Sequence, residues 1–162
     1  MTGKIAFIIA MALMPLFFSW SSCKKKVVKG CADKLALNFS EEAQEDDGTC
    51  TYPRDNFTGN YQGIKNCLTT GVDSFYNFRI VKSASNRYEI NLLDFPESAG
   101  VTKARIDDQN LSRFVIPSQD LVNGLDSFSI SGEATLLNNQ LILNFYRISA
   151  NNIDTCYLNA FK

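Results

Sequence analysis

The run from residue 126 to residue 136 (DSFSISGEATL) sets the strictest limit on what this chain can fold into. Phe128, Ile130, Gly132, Ala134 and Leu136 alternate without a break with Ser127, Ser129, Ser131, Glu133 and Thr135. A period of two puts one set in a core and the other in water, which is the pattern of a half-buried β-strand; a helix would scatter both sets around its axis. The same alternation fills the chain from Arg54 onward, with turn residues every ten or so positions. Residues 57–67 open the series, with Gly59 and Gly63 where a bent or close-packed strand needs them. Residues 75–81 place Tyr76, Phe78 and Ile80 on one face, and residues 87–93 repeat the scheme with Tyr88, Ile90 and Leu92. Strands are also expected at 101–106 and at 111–116, the second closed by Pro117 and followed by a turn at 118–123. Asn138 and Asn139 then form a hairpin turn into a strand carrying Leu141, Leu143 and Phe145. Residues 153–161 complete the set. Eight strands joined by short connections give an all-β domain, a single eight-stranded antiparallel meander closed as a barrel or flattened as a sandwich.

Residues 1–29 decide where such a domain lives. Lys4 precedes fourteen apolar residues, 5–18, and Ser21 and Ser22 then lead into Cys23 and the basic run Lys24, Lys25, Lys26. This is the basic, apolar, small-residue order of an export signal. It assigns residues 1–22 to a signal peptide and 23–29 to a short basic tether. The Ser-Ser-Cys exit resembles the lipobox of bacterial lipoproteins, with Trp20 where that pattern has an aliphatic residue. The resemblance implies that Cys23 is lipidated, becomes the first mature residue and holds the chain on a membrane. Lys24 is not the aspartate that retains some lipoproteins at the inner membrane, so the expected address is the outer membrane of a bacterial cell envelope. Two rivals are an uncleaved anchor over residues 5–23 and a soluble secreted product. The anchor would put the domain in the cytoplasm by the positive-inside rule, in conflict with the cysteines.

Of the five cysteines, one goes to lipid on this reading, and Cys31, Cys50, Cys67 and Cys156 remain. An exported chain pairs such an even set. Three connectivities exist; the favoured one joins Cys31 to Cys50 around a short polar segment and Cys67 to Cys156 between the first and last strands. Histidine is absent and no CxxC spacing occurs, which argues against zinc and removes imidazole acid–base chemistry. Sixteen basic and seventeen acidic residues leave a net charge of −1, without the basic footprint that nucleic acid requires.

Residues 30–53 read GCADKLALNFSEEAQEDDGTCTYP. This segment resembles a cysteine-bounded motif, GCxDxxAxNYxxxAxxDDGSCxY, that recurs in exported proteins of the Bacteroidetes, flavobacteria in particular. Gly30, Cys31, Asp33, Ala36, Asn38, Ala43, Asp46, Asp47, Gly48, Cys50 and Tyr52 fall on its fixed positions. Lys34 and Glu45 depart from it, standing where proline and an apolar residue are common. The resemblance implies lineage and export but carries no activity. Physically, residues 30–53 form an acidic minidomain too small for a core of its own and closed by a disulfide. Asp46, Asp47 and Gly48 supply a tight turn whose side chains bond the local backbone. The competing reading is a weak calcium site built from Asp33, Asn38, Glu41, Asp46 and Asp47, although their spacing is not that of an EF-hand.

Residues 54–162 carry no GxSxG elbow, P-loop or GxGxxG. The only carboxylates that invite a hydrolase reading are Asp94, Glu97, Asp107 and Asp108, all in polar turns. Tyr61, Tyr76, Tyr88 and Tyr146 line a ligand pocket if the barrel is hollow and belong to a core if it is not. The FTGNY opening, the eight strands and a bridge from first strand to last resemble lipocalin-like domains of exported Bacteroidetes lipoproteins, with Gly59-Asn60-Tyr61 where a lipocalin has Gly-x-Trp. The chain therefore reads as a non-enzymatic, lipid-anchored envelope protein without a cofactor, a binding or structural module for an envelope partner or ligand. The alternatives are a lipocalin-like carrier of a small apolar molecule and a carboxylate-based hydrolase.

Overall fold

The computed structural model describes residues 26–69, 71, 74–96, 100–150 and 152–162. Residues 1–22, expected to be a signal peptide, and Cys23 lie outside the described residues, as does Glu97. Two short strands, β1 (Lys29–Gly30) and β2 (Glu45–Asp46), pair in parallel within the minidomain, and a 3-10 turn at Pro53–Asn56 leads into the main domain. Eight strands follow: β3 (Gly59–Cys67), β4 (Ser74–Lys82), β5 (Glu89–Leu93), β6 (Val101–Ile106), β7 (Arg113–Asn123), β8 (Asp126–Leu137), β9 (Gln140–Ser149) and β10 (Asn152–Phe161). Each pairs antiparallel with the next, and β10 returns to β3, so the meander is a closed barrel and not a sandwich.

Closure rests on the β3–β10 seam, whose register pairs Cys67 with Cys156 and Gly63 with Ala160. Both bridges of the favoured connectivity are present, Cys31–Cys50 and Cys67–Cys156. Their sequence separations of 19 and 89 residues give loop-closure terms of about 3 and about 4.6 kcal/mol in the chain-entropy model. Gly63 lets the seam close: a Cβ there would lie 2.5 Å from the Ala160 Cα and nearer still to the Asn159 carbonyl oxygen. Asn138 and Asn139, with φ of 49° and 68°, make the expected hairpin turn between β8 and β9.

The seventh strand corrects the sequence reading. Residues 118–123 are not a turn, because β7 runs through Pro117 to Asn123 with a register shift between Ile116 and Gln119. A bulge tolerates the missing proline N–H. Backbone pairing of β7 with β6 covers only Arg105–Val115 and Ile106–Phe114, and the Gln119 side chain supplies a further rung. Its Oε1 accepts from the Lys103 amide at 2.9 Å and its Nε2 donates to the Lys103 carbonyl at 2.7 Å. A side-chain amide thus replaces the ladder that proline interrupts.

Two substitutions check the seam. Gly63→Ala is expected to cost about 3 kcal/mol or more in urea unfolding, because overpacking here meets backbone that cannot yield. Gly100→Ala, whose added carbon meets among the described residues Leu121 Cδ2 at 3.8 Å, should change stability by less than about 1 kcal/mol. Equal effects at the two positions would show that the seam is not tightly closed.

Candidate functional site

Strand direction alternates, so the barrel has two unlike ends. The near end gathers the start of β3, the 83–88 and 107–112 connections, the Asn138–Asn139 turn and Lys162. The chain arrives here through Pro53–Asn56 and ties itself down: Arg54 donates to the Ser83 carbonyl at 2.7 Å and to the Asn86 carbonyl at 2.5 Å, and Lys82 pairs with Asp55 at 2.9 Å. Lys162 Nζ donates to the Asn56 carbonyl at 2.6 Å. Phe57 is fully buried beneath this cover, edge-on to Phe114 at 5.3 Å.

The minidomain docks on the same end. The Tyr52 ring meets the guanidinium groups of Arg54 and Arg87, 5.5 and 5.1 Å from its centre, and its hydroxyl donates to Asp33 at 2.6 Å. Arg87, from the β4–β5 connection, also pairs with Asp33. The Tyr52 hydroxyl, then the Leu35 amide, hold the Asp33 carboxyl below its ordinary value; burial opposes them and the charge of Arg87 assists. The shared proton works in the opposite sense on Tyr52, whose phenol is pushed up first by its bond to Asp33 and then by burial.

The other acidic residues of the minidomain serve its turns. Asp46 accepts from the Gly48 amide at 2.8 Å, and Asp47 accepts from the Thr49 amide and hydroxyl at 3.0 and 2.6 Å. Asn38 bridges the two halves, accepting from the Thr51 amide and donating to the Thr49 carbonyl, both at 2.8 Å. Asp33, Asn38, Asp46 and Asp47 therefore face their own backbone, Glu41 is exposed, and the five are not gathered into one calcium ligand set. Among the described residues the one cluster of metal-ligand type is Cys67, Asp154 and Cys156, and its two sulfurs are spent on the seam disulfide.

Inside the barrel, buried side chains from all eight strands join in one core. Rings run through it in continuous contact: Tyr61 stacks on Phe78 at 5.3 Å, Phe78 meets Phe95 at 5.4 Å, and Phe95 meets Phe145 at 5.0 Å. An eight-stranded barrel is just wide enough for such filling. Tyr61 donates to the Phe57 carbonyl at 2.8 Å, and its burial pushes the phenol well above its usual pKa. Toward the far end the interior turns polar. Lys65 lies over the Tyr76 ring at 5.0 Å and Arg147 over Phe128 at 4.5 Å, with the Arg147 Nε buried and lacking a hydrogen-bond partner.

The four tyrosines do not line one pocket. Tyr61 and Tyr76 are buried core, Tyr88 is a partly buried neighbour of that core at the near end, and Tyr146 points outward from β9. The hydrolase candidates are likewise separated. Asp94 follows β5 at the far end, whereas Asp107 and Asp108 follow β6 at the near end, held by Arg113 at 2.9 Å and Arg105 at 3.4 Å. Carboxylates at opposite ends cannot flank one glycosidic bond, which needs a separation below about 10 Å. Sequence reasoning missed Tyr157, which stands outside the wall beside Tyr146. The signal was available: Cys156, Leu158 and Ala160 share the inner face, which sends Tyr157 outward.

What this geometry defines is a core-filled, disulfide-closed β-barrel with a docked minidomain. No protein-family profile matches the chain, and no curated protein does.

The Asp33 latch carries a pH dependence. A carboxyl whose pKa is depressed by folding stabilises the docked state above its ordinary value, and that contribution disappears as pH falls through the lowered one. Minidomain docking is therefore expected to hold at neutral pH and to loosen below about pH 4. The loosening is read from amide exchange of residues 83–88, and Asp33→Asn should abolish the acid step. Protection of those amides that persists into strong acid would show that Asp33 is not the latch.

Proposed function

We propose that the protein is a lipid-anchored module of the bacterial cell envelope, an exported lipoprotein of the kind found in Bacteroidetes, held at the outer membrane through Cys23. One observation carries this reading. Of the five cysteines, the four described ones are used in the Cys31–Cys50 and Cys67–Cys156 bridges, and the fifth, Cys23, is the one the lipobox resemblance assigns to lipid. Two bridges suit an oxidising compartment, and Cys23 follows directly on the basic, apolar, small-residue order expected of an export signal.

Binding or structural support, and not transport of a ligand in the interior, is the task that suits the barrel. Phe78, Phe95 and Phe145 occupy the centre where a carried apolar molecule would sit. Four depressions formed by described residues open on the outer wall or the near rim, including one lined by Ile64, Phe75 and Phe161 across β3, β4 and β10. A partner in the envelope would meet these surfaces.

Expression in an exporting bacterial host tests the anchor. The wild-type chain is expected to lose residues 1–22, to gain the mass of acyl chains at Cys23 and to partition into detergent, while Cys23→Ala remains aqueous or unprocessed. A wild-type product that begins at Met1, or that carries no lipid mass, would overturn the proposal.

A further inference from the structure

We infer that a groove on the outer wall, crossing β7 to β10, is a binding site for a neutral oligosaccharide. The inference deepens the binding-module reading and rests on it.

The groove follows from strand parity. Leu143, Phe145, Cys156 and Leu158 face inward, so Asn144, Tyr146, Thr155 and Tyr157 face out. Register sets these in two rows: Ser131, Tyr146 and Thr155 lie side by side, and Glu133, Asn144 and Tyr157 lie side by side next to them. The β7 bulge leaves Pro117 and Ser118 along one edge, and the depression has a volume of about 580 Å³. Four adjacent strands make it roughly 14 Å across, the length of two to three sugar rings.

Its chemistry is that of a sugar site. Tyr146 and Tyr157 are 50% and 47% exposed, so each offers a ring to water at a position where a strand could have carried a polar residue. Between and beside the rings stand an amide, hydroxyls and a carboxylate. The side chains of Ser131, Asn144, Tyr146, Thr155 and Tyr157 form no hydrogen bond with any described residue. A pyranose presents a C–H face that lies on an aromatic ring and a rim of hydroxyls that pair with amide and carboxylate groups, so both kinds of surface are matched. Sites of this kind combine apolar contact with a few fixed polar groups, and tyrosine contributes contact area at low entropic cost.

Charge selects a neutral ligand. Among the described residues no lysine or arginine lines the groove, and its one acidic group, Glu133, is paired with Arg113, which Asp107 holds from the other side. An anionic polymer would find no free cation there. The pairing also holds the exposed Glu133 carboxylate at the groove, with an oxygen left to accept from a sugar hydroxyl.

Titration of the full chain, processed by an exporting host and held in detergent, with the β-1,4-linked tetramers of N-acetylglucosamine and of glucose tests this. At least one tetramer is expected to bind saturably and to shift the amide resonances of Asn144, Tyr146 and Tyr157. Tyr146→Ala and Tyr157→Ala should each weaken binding roughly tenfold or more, the scale of losing one stacked ring. Leu125→Ala, in the exposed turn between β7 and β8, should leave it unchanged. No saturable shift at millimolar sugar, or unchanged affinity in tyrosine variants that melt like the wild type, overturns the inference. So does an envelope protein that crosslinks at Tyr146 or Tyr157 and is not displaced by either sugar. If the chain is lipidated but binds neither tetramer, only the sugar site fails; if an unlipidated chain beginning at Met1 binds sugar through these tyrosines, the envelope reading fails and the site stands.

Discussion

Six register pairs join β10 to β3, and the rest of the molecule depends on that seam. Without it the meander would be an open sheet with two exposed edges, each a row of unpaired amides ready to pair with another chain. Closure removes both edges and turns one face of every strand inward, so the alternation of each strand becomes a division between core and surface. Two local features make the seam possible. Gly63 allows β3 and β10 to approach more closely than any side chain would, and Cys67–Cys156 fastens their far ends. The near ends are held differently, by Lys162 reaching Asn56 and by the cover that Arg54 and Asp55 form over Phe57.

A closed barrel of this width fills with side chains. The contact chain from Tyr61 to Phe145 occupies the middle of the barrel, so exposed aromatic and polar groups stand on the outer wall and at the two ends. The minidomain belongs to the same logic. It has no core of its own, exposes Leu35 and Leu37, and is ordered by a disulfide, by carboxylates folded back on its turns and by one polar latch to the barrel. Its acidity has a structural use, since each aspartate replaces a backbone hydrogen bond that so short a segment cannot make for itself.

Most of the barrel was legible in the sequence because period-two alternation is written residue by residue. The turn at Asn138–Asn139 and the partition of Phe128 to Leu136 needed no tertiary information. The seventh strand was misread because Pro117 is a local stop signal, and the Gln119 side chain that repairs the break bonds to Lys103, sixteen residues earlier. Closure against a sandwich was also beyond the pattern, since both bury the same alternate faces. For the candidate sites the balance was less favourable. The aspartates of the minidomain could be read as turn formers, but their partners Tyr52 and Arg87 come from separate segments. Tyr146 was grouped with buried tyrosines even though Phe145 beside it belongs inside, so its outward direction was implied by the same alternation.

Native-state hydrogen exchange, resolved by residue, tests closure most directly. If the seam is as cooperative as the geometry indicates, the paired amides of β3 and β10 between Gln62 and Cys67 and between Cys156 and Phe161 exchange as slowly as those of the β8–β9 hairpin, through global unfolding alone. Seam amides that exchange far ahead of that hairpin, with the Cys67–Cys156 bridge intact, would mean that the sheet opens there in its native state and that the barrel account is wrong.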